Sequence, residues 1–358
     1  MSGGGGHRQG ERLNHISRRT FLRLALLAGI GGGAAVIDRA TQPVGFPTWL
    51  RWLAQGYRHR FLGPRSTVAV MACPDYDDER ALLACLAEGW SLGDGPDVQG
   101  RRVLIKPNLV DHIAGRPATT DARLIRALIQ LLRQRGVRDA IVADAPAFRK
   151  DPLPILDGIG LAYVLADLNV PFVDLNHDDT TPQPLRERFM PNERQLLLPQ
   201  TFVEADVVIS LPKLKTHHWA GVSLSLKNLF GVLPGVKYGW PKNVLHQNGI
   251  PASISALYAS FPFDFAIVDG ITGMEGDGPL FGDPVPSGAL VFGRDGVAVD
   301  STCARLMGFE PTRIEHLAFM SWAGLGISNA ARLDVRGERV ADLQRTYDPP
   351  PQAAATTV

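Results

Sequence analysis

Only three cysteines occur in the 358 residues, too few for a disulfide-stapled fold or for a four-thiolate metal or iron–sulfur site. Several signatures of familiar chemistry are missing too. There is no G-x-S-x-G elbow, no H-E-x-x-H, no G-K-[ST] loop and no G-x-G-x-x-G after a strand. Charge of one sign is also lacking: 37 Lys plus Arg stand against 36 Asp plus Glu. Arginine is absent from 195–293 and the chain beyond residue 60 is net acidic. Both facts argue against a nucleic-acid-binding surface. What is present, 45% hydrophobic and 20% charged residues, is the balance of a globular protein and excludes a disordered chain.

The near-neutral total divides unevenly. Residues 1–60 carry nine Arg against Glu11 and Asp38, a net +7, and the remainder is −6. The basic residues are 30 Arg and 7 Lys, and five of the Lys fall within 213–242. A chain that supplies surface charge with Arg has used Lys where a solvated face would not require it. Lysine offers a compact point charge, a pKa that burial can lower and a nucleophilic amine.

At the N-terminus, Arg18 and Arg19 precede Thr20-Phe21-Leu22 and a charge-free, Gly-rich run over 24–37. That run is shorter than the ~20 residues of a spanning helix, and a basic segment before a short apolar one is a secretory leader. The paired Arg followed by Phe-Leu resembles a twin-arginine (Tat) leader. The resemblance implies folding in the cytoplasm and export by the Tat machinery, to a periplasmic or membrane-anchored position on the outer side of the inner membrane. Residues 1–40 are therefore expected to be a signal or anchor segment, and 41–65 a linker or an amphipathic segment with peripheral membrane contact.

From Thr67 onward, short apolar runs alternate with amphipathic stretches. Strands are expected at 68–72, 103–105, 140–143, 207–211, 265–268 and 290–292, with a small one near 332–335. Helices are expected over 77–92, 121–135, 153–168, 297–307 and 313–322, with Asp295 placed as an N-cap. Apolar strands without alternation point to burial on both faces. The expected fold is α/β, a mixed or mostly parallel sheet with helices on both faces, formed by one domain over 66–345 and followed by a disordered tail at 346–358.

In such sheets ligands bind beyond the carboxyl ends of the strands. Those ends carry Lys106 and Asn108, Asp144, the run 213–218 and Asp269. In an extended backbone Lys213, Lys215 and His217 point the same way, and Ser223, Ser225 and Lys227 bring hydroxyls and an ammonium together. That set suits an anion. Lys106, Asn108, Lys213, Ser223, Ser225 and Asn228 are assigned to anion binding, and Lys215, His217 and Lys227 to catalysis. A Lys with a lowered pKa or a His works as general acid or base near neutral pH. The loop 273–279 is Gly-rich and acidic, so Asp144, Asp269 and Glu275 are expected to hold a divalent metal, which His217 and His246 would supplement. No iron–sulfur cluster is expected in this chain.

The segments 103–108, 211–217, 225–231, 268–270, 273–279 and 295–300 resemble those of the domain of unknown function 362 family, in that family's order, with K-x-K-T-H and L-K-N-x-F-G as the specific elements. The resemblance implies the α/β fold and names no reaction. Some relatives carry ferredoxin-type clusters on Cys-rich segments, which this chain lacks. Two functions remain: an enzyme acting on a small carboxylate or phosphate, metal-assisted, or a non-catalytic exported ligand-, cofactor- or redox-partner-binding protein.

Overall fold

The structure, a computed structural model, describes residues 46–63, 65–146, 151–187, 189–239 and 242–351. The expected leader therefore lies outside the described residues. The chain divides into two units, residues 1–51 and 52–358. Of the first, the described residues 46–51 lie in the helix Phe46–Tyr57. The fold below is that of the second.

Twelve strands are described: β1 (Ser66–Ala72), β2 (Arg102–Pro107), β3 (Asp139–Asp144), β4 (Phe172–Asp174), β5 (Thr180–Pro184), β6 (Gln195–Pro199), β7 (Val207–Leu211), β8 (Lys213–His217), β9 (Gly221–Ser223), β10 (Phe265–Glu275), β11 (Asp283–Gly293) and β12 (Leu333–Gly337). The main sheet runs β12-β1-β11-β10-β7-β2-β3-β4, with β8 on β10 and β9 on β8. Pairs β10·β7, β7·β2, β2·β3 and β3·β4 are parallel, as is β12·β1, whereas β11 lies antiparallel between β1 and β10. The sheet is mixed and mostly parallel, as expected from its unalternating apolar strands.

Adjacent residues of β11 show both faces covered. The Phe292 ring lies against Gly89 of the helix Glu79–Leu92, where an added Cβ would overlap it. Gly293, the next residue, faces Val299 of the helix Gly296–Leu306. The helices begin where carboxylates cap them: Asp78 accepts from Arg80 and Ala81 N–H, Asp121 from Arg123 N–H, and Asp295 from Val297 and Ala298 N–H. On the Phe292 side, Val103, Ile105, Val142, Ile209 and Phe265 pack on Leu86, Trp90, Leu124 and Leu128. Burial of this area is the main favourable term of the fold.

Three expectations are corrected, and the segment 41–65, expected as a linker or an amphipathic segment, is given its form. The helix expected over 153–168 is two helices, Pro152–Gly158 and Leu161–Asp167, separated at Gly160, whose φ of 73° lies in the left-handed region. The segment 41–65 is, in its described part, helix followed by a π-helical turn over Arg58–Leu62, and Trp52 is buried with its ring stacked 4.3 Å from Phe189. The supposed loop at Gly273 is strand: Gly273, Met274 and Glu275 end β10 opposite Val285, Pro284 and Asp283. The tail begins later than residue 346, because Tyr347 is buried and its hydroxyl shares a hydrogen bond of 2.7 Å with Ser287. Among the described residues no helix is long and apolar enough to cross a membrane.

Candidate functional site

The long β10–β11 hairpin overhangs the carboxyl ends of β2, β3 and β7. It carries β8, which pairs Lys213 with Asp269 and Lys215 with Met274. Beneath the overhang lies a cavity of about 520 Å³, a size suited to a small molecule. Its wall takes Asn108 and Asp144 from the ends of β2 and β3, His217 and His218 from β8, and Ser223 from β9. Lys227, Asn228, Phe230 and Gly231 come from the helix Ser225–Asn228 and the turn after it. Lys242, His246, Asp277 and Phe281 complete it.

Directly behind the wall, charges are matched. Lys106, 1% exposed, donates to Asp144 Oδ1 at 2.6 Å and to Asn228 Oδ1 at 3.1 Å. Asp144 also accepts from the Leu109 and Ala145 N–H groups at 2.7 and 2.9 Å. Asn228 Nδ2 donates to the Lys106 carbonyl and to Ser210 Oγ, so one amide ties β2, β7 and the Ser225–Asn228 helix together. Gly231 allows this packing, since a Cβ there would overlap both Asp144 Oδ1 and Lys106 Nζ. A second network lies deeper: Lys213 donates to Asp269 at 3.0 Å and to the Tyr76 hydroxyl at 2.8 Å, and that hydroxyl donates to Asp269 at 2.6 Å.

Several assignments change accordingly. Lys106 and Lys213 do not line the cavity; each neutralises a buried carboxylate, and neither ammonium is available to an anion. Ser225 is also turned away, its hydroxyl donating to Asp300 at 2.5 Å, while Asp300 accepts the Ser225 and Leu226 N–H groups at 2.9 and 3.0 Å. Asp300, fully buried in the helix Gly296–Leu306, thereby anchors the start of the segment that carries Lys227; burial pushes its carboxyl up to about 7. The metal set is not assembled. Asp144 is engaged by Lys106, Asp269 by Lys213 and Tyr76, and Glu275 accepts the Asp348 N–H at 2.8 Å. Among the described residues no three His, Cys, Asp or Glu side chains are grouped to hold a metal, so these donors do not fit one.

Asn108, Ser223, Asn228, His217 and Lys227 do meet at the cavity, whereas Lys215 stands behind it. Lys215 Nζ donates to the Ala118 carbonyl at 2.6 Å and the Pro279 carbonyl at 3.2 Å. Burial, then Lys227 and Lys213, lower its pKa to about 7. Burial and then Lys106 lower Lys227 to about 7 as well. The Lys227 ammonium donates no hydrogen bond among the described residues and lies 3.9 Å from the centroid of the Phe230 ring, a cation–π contact.

Sequence reasoning undervalued Lys242, whose Nζ donates to the Phe230 carbonyl at 2.7 Å and the Ala145 carbonyl at 3.4 Å and whose pKa burial lowers to about 7. It also passed over the difference between the two histidines. His217 Nδ1 accepts from the Trp219 and Ala220 N–H groups at 3.1 and 3.3 Å, so its proton sits on Nε2 and the ring is a donor. Burial and then Lys227 hold its pKa far below the usual imidazole range, which excludes it as a general base at neutral pH. His218 has the opposite tautomer: Nδ1 lies 2.9 Å from the Gly278 carbonyl and must carry the proton, leaving Nε2 an acceptor. No spacing in the sequence distinguishes them, because the deciding partners are backbone groups of the folded chain.

The chain is similar to known proteins in three respects. It is 30% identical over 229 residues to a thylakoid-associated protein of Synechocystis sp., covering 63% of this chain and 69% of that one. It overlaps the lactate racemase apoprotein of Thermoanaerobacterium thermosaccharolyticum with a TM-score of 0.39 and 17% identity, covering 70% of this chain and 58% of that structure's chain. The profile of the family described as Domain of unknown function (DUF362) matches residues 103–305, more than half of the sequence and the whole stretch from Lys106 to Asp300, and the chain belongs to that family.

Proposed function

We propose that this protein is an enzyme that binds a small organic anion, a carboxylate or a phosphate ester, in the cavity and moves protons on it. One observation carries the reading: Lys227 lines the cavity with no hydrogen-bond acceptor among the described residues, while Lys106 and Lys213 are paired with carboxylates. An anion supplies the charge that Lys227 lacks. His217 Nε2–H and the Lys242 ammonium add donors, and His218, held at Nδ1 by the Gly278 carbonyl, leaves Nε2 to exchange a proton with a ligand. Phe230, Trp219 and Phe281 line the same space and offer apolar surface to the carbon skeleton of a ligand.

Thermal denaturation in the presence of millimolar carboxylates and phosphate monoesters tests this reading. Members of the panel are expected to raise the melting temperature of the wild type and to have little effect on Lys227→Met. The reading fails if no anion shifts the wild type, or if Lys227→Met responds equally. A stabilising ligand recovered unchanged after prolonged incubation would favour a binding protein over an enzyme.

We also propose that the protein acts outside the cytoplasm after Tat export. The support is the Arg18-Arg19 leader and the concentration of positive charge in residues 1–60. Replacing both arginines by lysine is expected to retain the protein in the cytoplasm of cell fractions. Unchanged distribution would remove the proposal.

A further inference from the structure

The five lysines around the cavity differ in what holds their nitrogens. Lys106 and Lys213 are bound by Asp144 and Asp269 at 2.6 and 3.0 Å. Lys215 and Lys242 each donate to two carbonyl oxygens. For any of these four to act as a nucleophile, the nitrogen must first leave partners that are themselves buried, and each abandoned acceptor costs about 1–3 kcal/mol. Among the described residues Lys227 has no such partner, and the face of Phe230 lies under its nitrogen. Losing its proton therefore orphans no acceptor, and burial has already brought its pKa to about 7.

A second, independent feature faces the same space. Asn108 is 8% exposed and lines the cavity, and its Oδ1 is buried with no hydrogen-bond partner among the described residues. Its Nδ2 is within 3.4 Å of Asn228 Oδ1, on the residue next to Lys227. A buried acceptor without a donor is uncommon in a native fold. A carboxylate or a phosphate dianion has no donor to offer it. A ligand hydroxyl or N–H would supply the donor it lacks.

We propose that Lys227 is a nucleophile that condenses with the carbonyl carbon of a small oxo acid and holds it in the cavity as a protonated imine. The idea rests on the reading of the cavity as a small-anion site and names its ligand class, a molecule with both a carbonyl and a carboxylate. The neutral amine of Lys227 adds to the carbonyl carbon, and the C=O π pair moves to oxygen. That oxygen takes up a proton and the nitrogen loses one, giving a carbinolamine. Its hydroxyl is a donor of the kind Asn108 Oδ1 lacks. The hydroxyl then takes up a second proton and leaves as water while the nitrogen lone pair forms the C=N bond. In sum, ammonium plus carbonyl gives iminium plus water, with no oxidant or reductant consumed. The Lys242 ammonium and His217 Nε2–H remain to hold the carboxylate.

The experiment treats the full-length protein at pH 7 with pyruvate, glyoxylate or 2-oxoglutarate and sodium cyanoborohydride. The reagent delivers hydride to an iminium carbon and fixes it as a secondary amine. Peptide mapping of the wild type by mass spectrometry then locates the adduct, and melting temperatures are recorded with the same acids without the reductant. At least one acid is expected to label Lys227 about tenfold or more faster than the exposed Lys237, since an ordinary lysine is almost wholly protonated at that pH. Lys227→Arg, checked for native melting, is expected to lose the adduct. An acid that raises the melting temperature without labelling Lys227, or labelling at Lys215, Lys242 or surface lysines instead, overturns the imine and leaves the anion site standing. Neither adduct nor stabilisation with these acids overturns the imine, and if the wider anion panel is also without effect the anion site falls with it.

Discussion

Asp144→Ala is expected to lower the free energy of unfolding by about 3–5 kcal/mol, the range for removing one partner of a buried ion pair. The substitution leaves the Lys106 ammonium, 1% exposed, without its carboxylate, and it orphans the N–H groups of Leu109 and Ala145. Lys106→Met is expected to cost less, because the remaining Asp144 carboxylate keeps two backbone donors. The loss in Asp144→Ala also depends on pH with a definite sign. Burial already lowers the Lys106 pKa from its ordinary value, against the pull of Asp144, and removing Asp144 lowers it further. Between that lowered value and the unfolded one the denatured chain binds the extra proton, so the variant gains stability as pH rises through this window. Below it both states are protonated and the penalty is complete. Urea denaturation of wild type and both variants at pH 6 and pH 9 measures this. A loss of under about 1 kcal/mol for Asp144→Ala, the size of an exposed pair, would show that the pair does not organise the wall of the site.

Much of the scaffold was legible before any coordinates. The strands at 68–72, 103–105, 140–143 and 207–211 were visible as unbroken apolar runs, and their lack of alternation foretold a sheet covered on both faces. Asp295, read as an N-cap, does cap its helix. The hairpin overhang was harder, because Gly273 and Glu275 read as loop, whereas Gly273 is glycine so that the strand can pass the Tyr347 hydroxyl. The site was legible in outline: the scarcity of Lys beside the abundance of Arg pointed to 213–242, and Asn108, Ser223, Lys227 and Asn228 do share a cavity. Their division of labour was not. Lys213 and Lys227 are the same residue type in the same segment, yet Asp269 and Tyr76, both far along the chain, engage only the first. Periodicity shows which residues share a face and is silent on which distant carboxylate meets them.

Anion affinity is expected to fall by about tenfold for each participating lysine between pH 6 and pH 8, and about a hundredfold if Lys227 and Lys242 both contribute. Both have pKa values of about 7, lowered first by burial, with Lys106 adding repulsion at each and Asp144 a partial offset at Lys242. Only the ammonium attracts the ligand, so binding is full below that value and lost above it. His217 does not contribute to this window, because its proton on Nε2 is kept at all these pH values and no second one is added. The stability of the free protein should move the opposite way. Each lysine has an ordinary value of 10.5 once unfolded, so from about pH 7 to pH 10 the unfolded chain holds more protons and stability rises with pH. A bound anion flattens this rise by raising the lysine pKa values toward the unfolded one. Calorimetric titration of a stabilising anion at pH 6, 7 and 8, with melting curves of the free and liganded protein from pH 6 to pH 9, tests both arms. Affinity falling with pH, and melting curves of the free and liganded protein that converge as pH rises, are the expected results. Affinity constant across the range would mean that neither lysine both meets the ligand and loses its proton between pH 6 and pH 8.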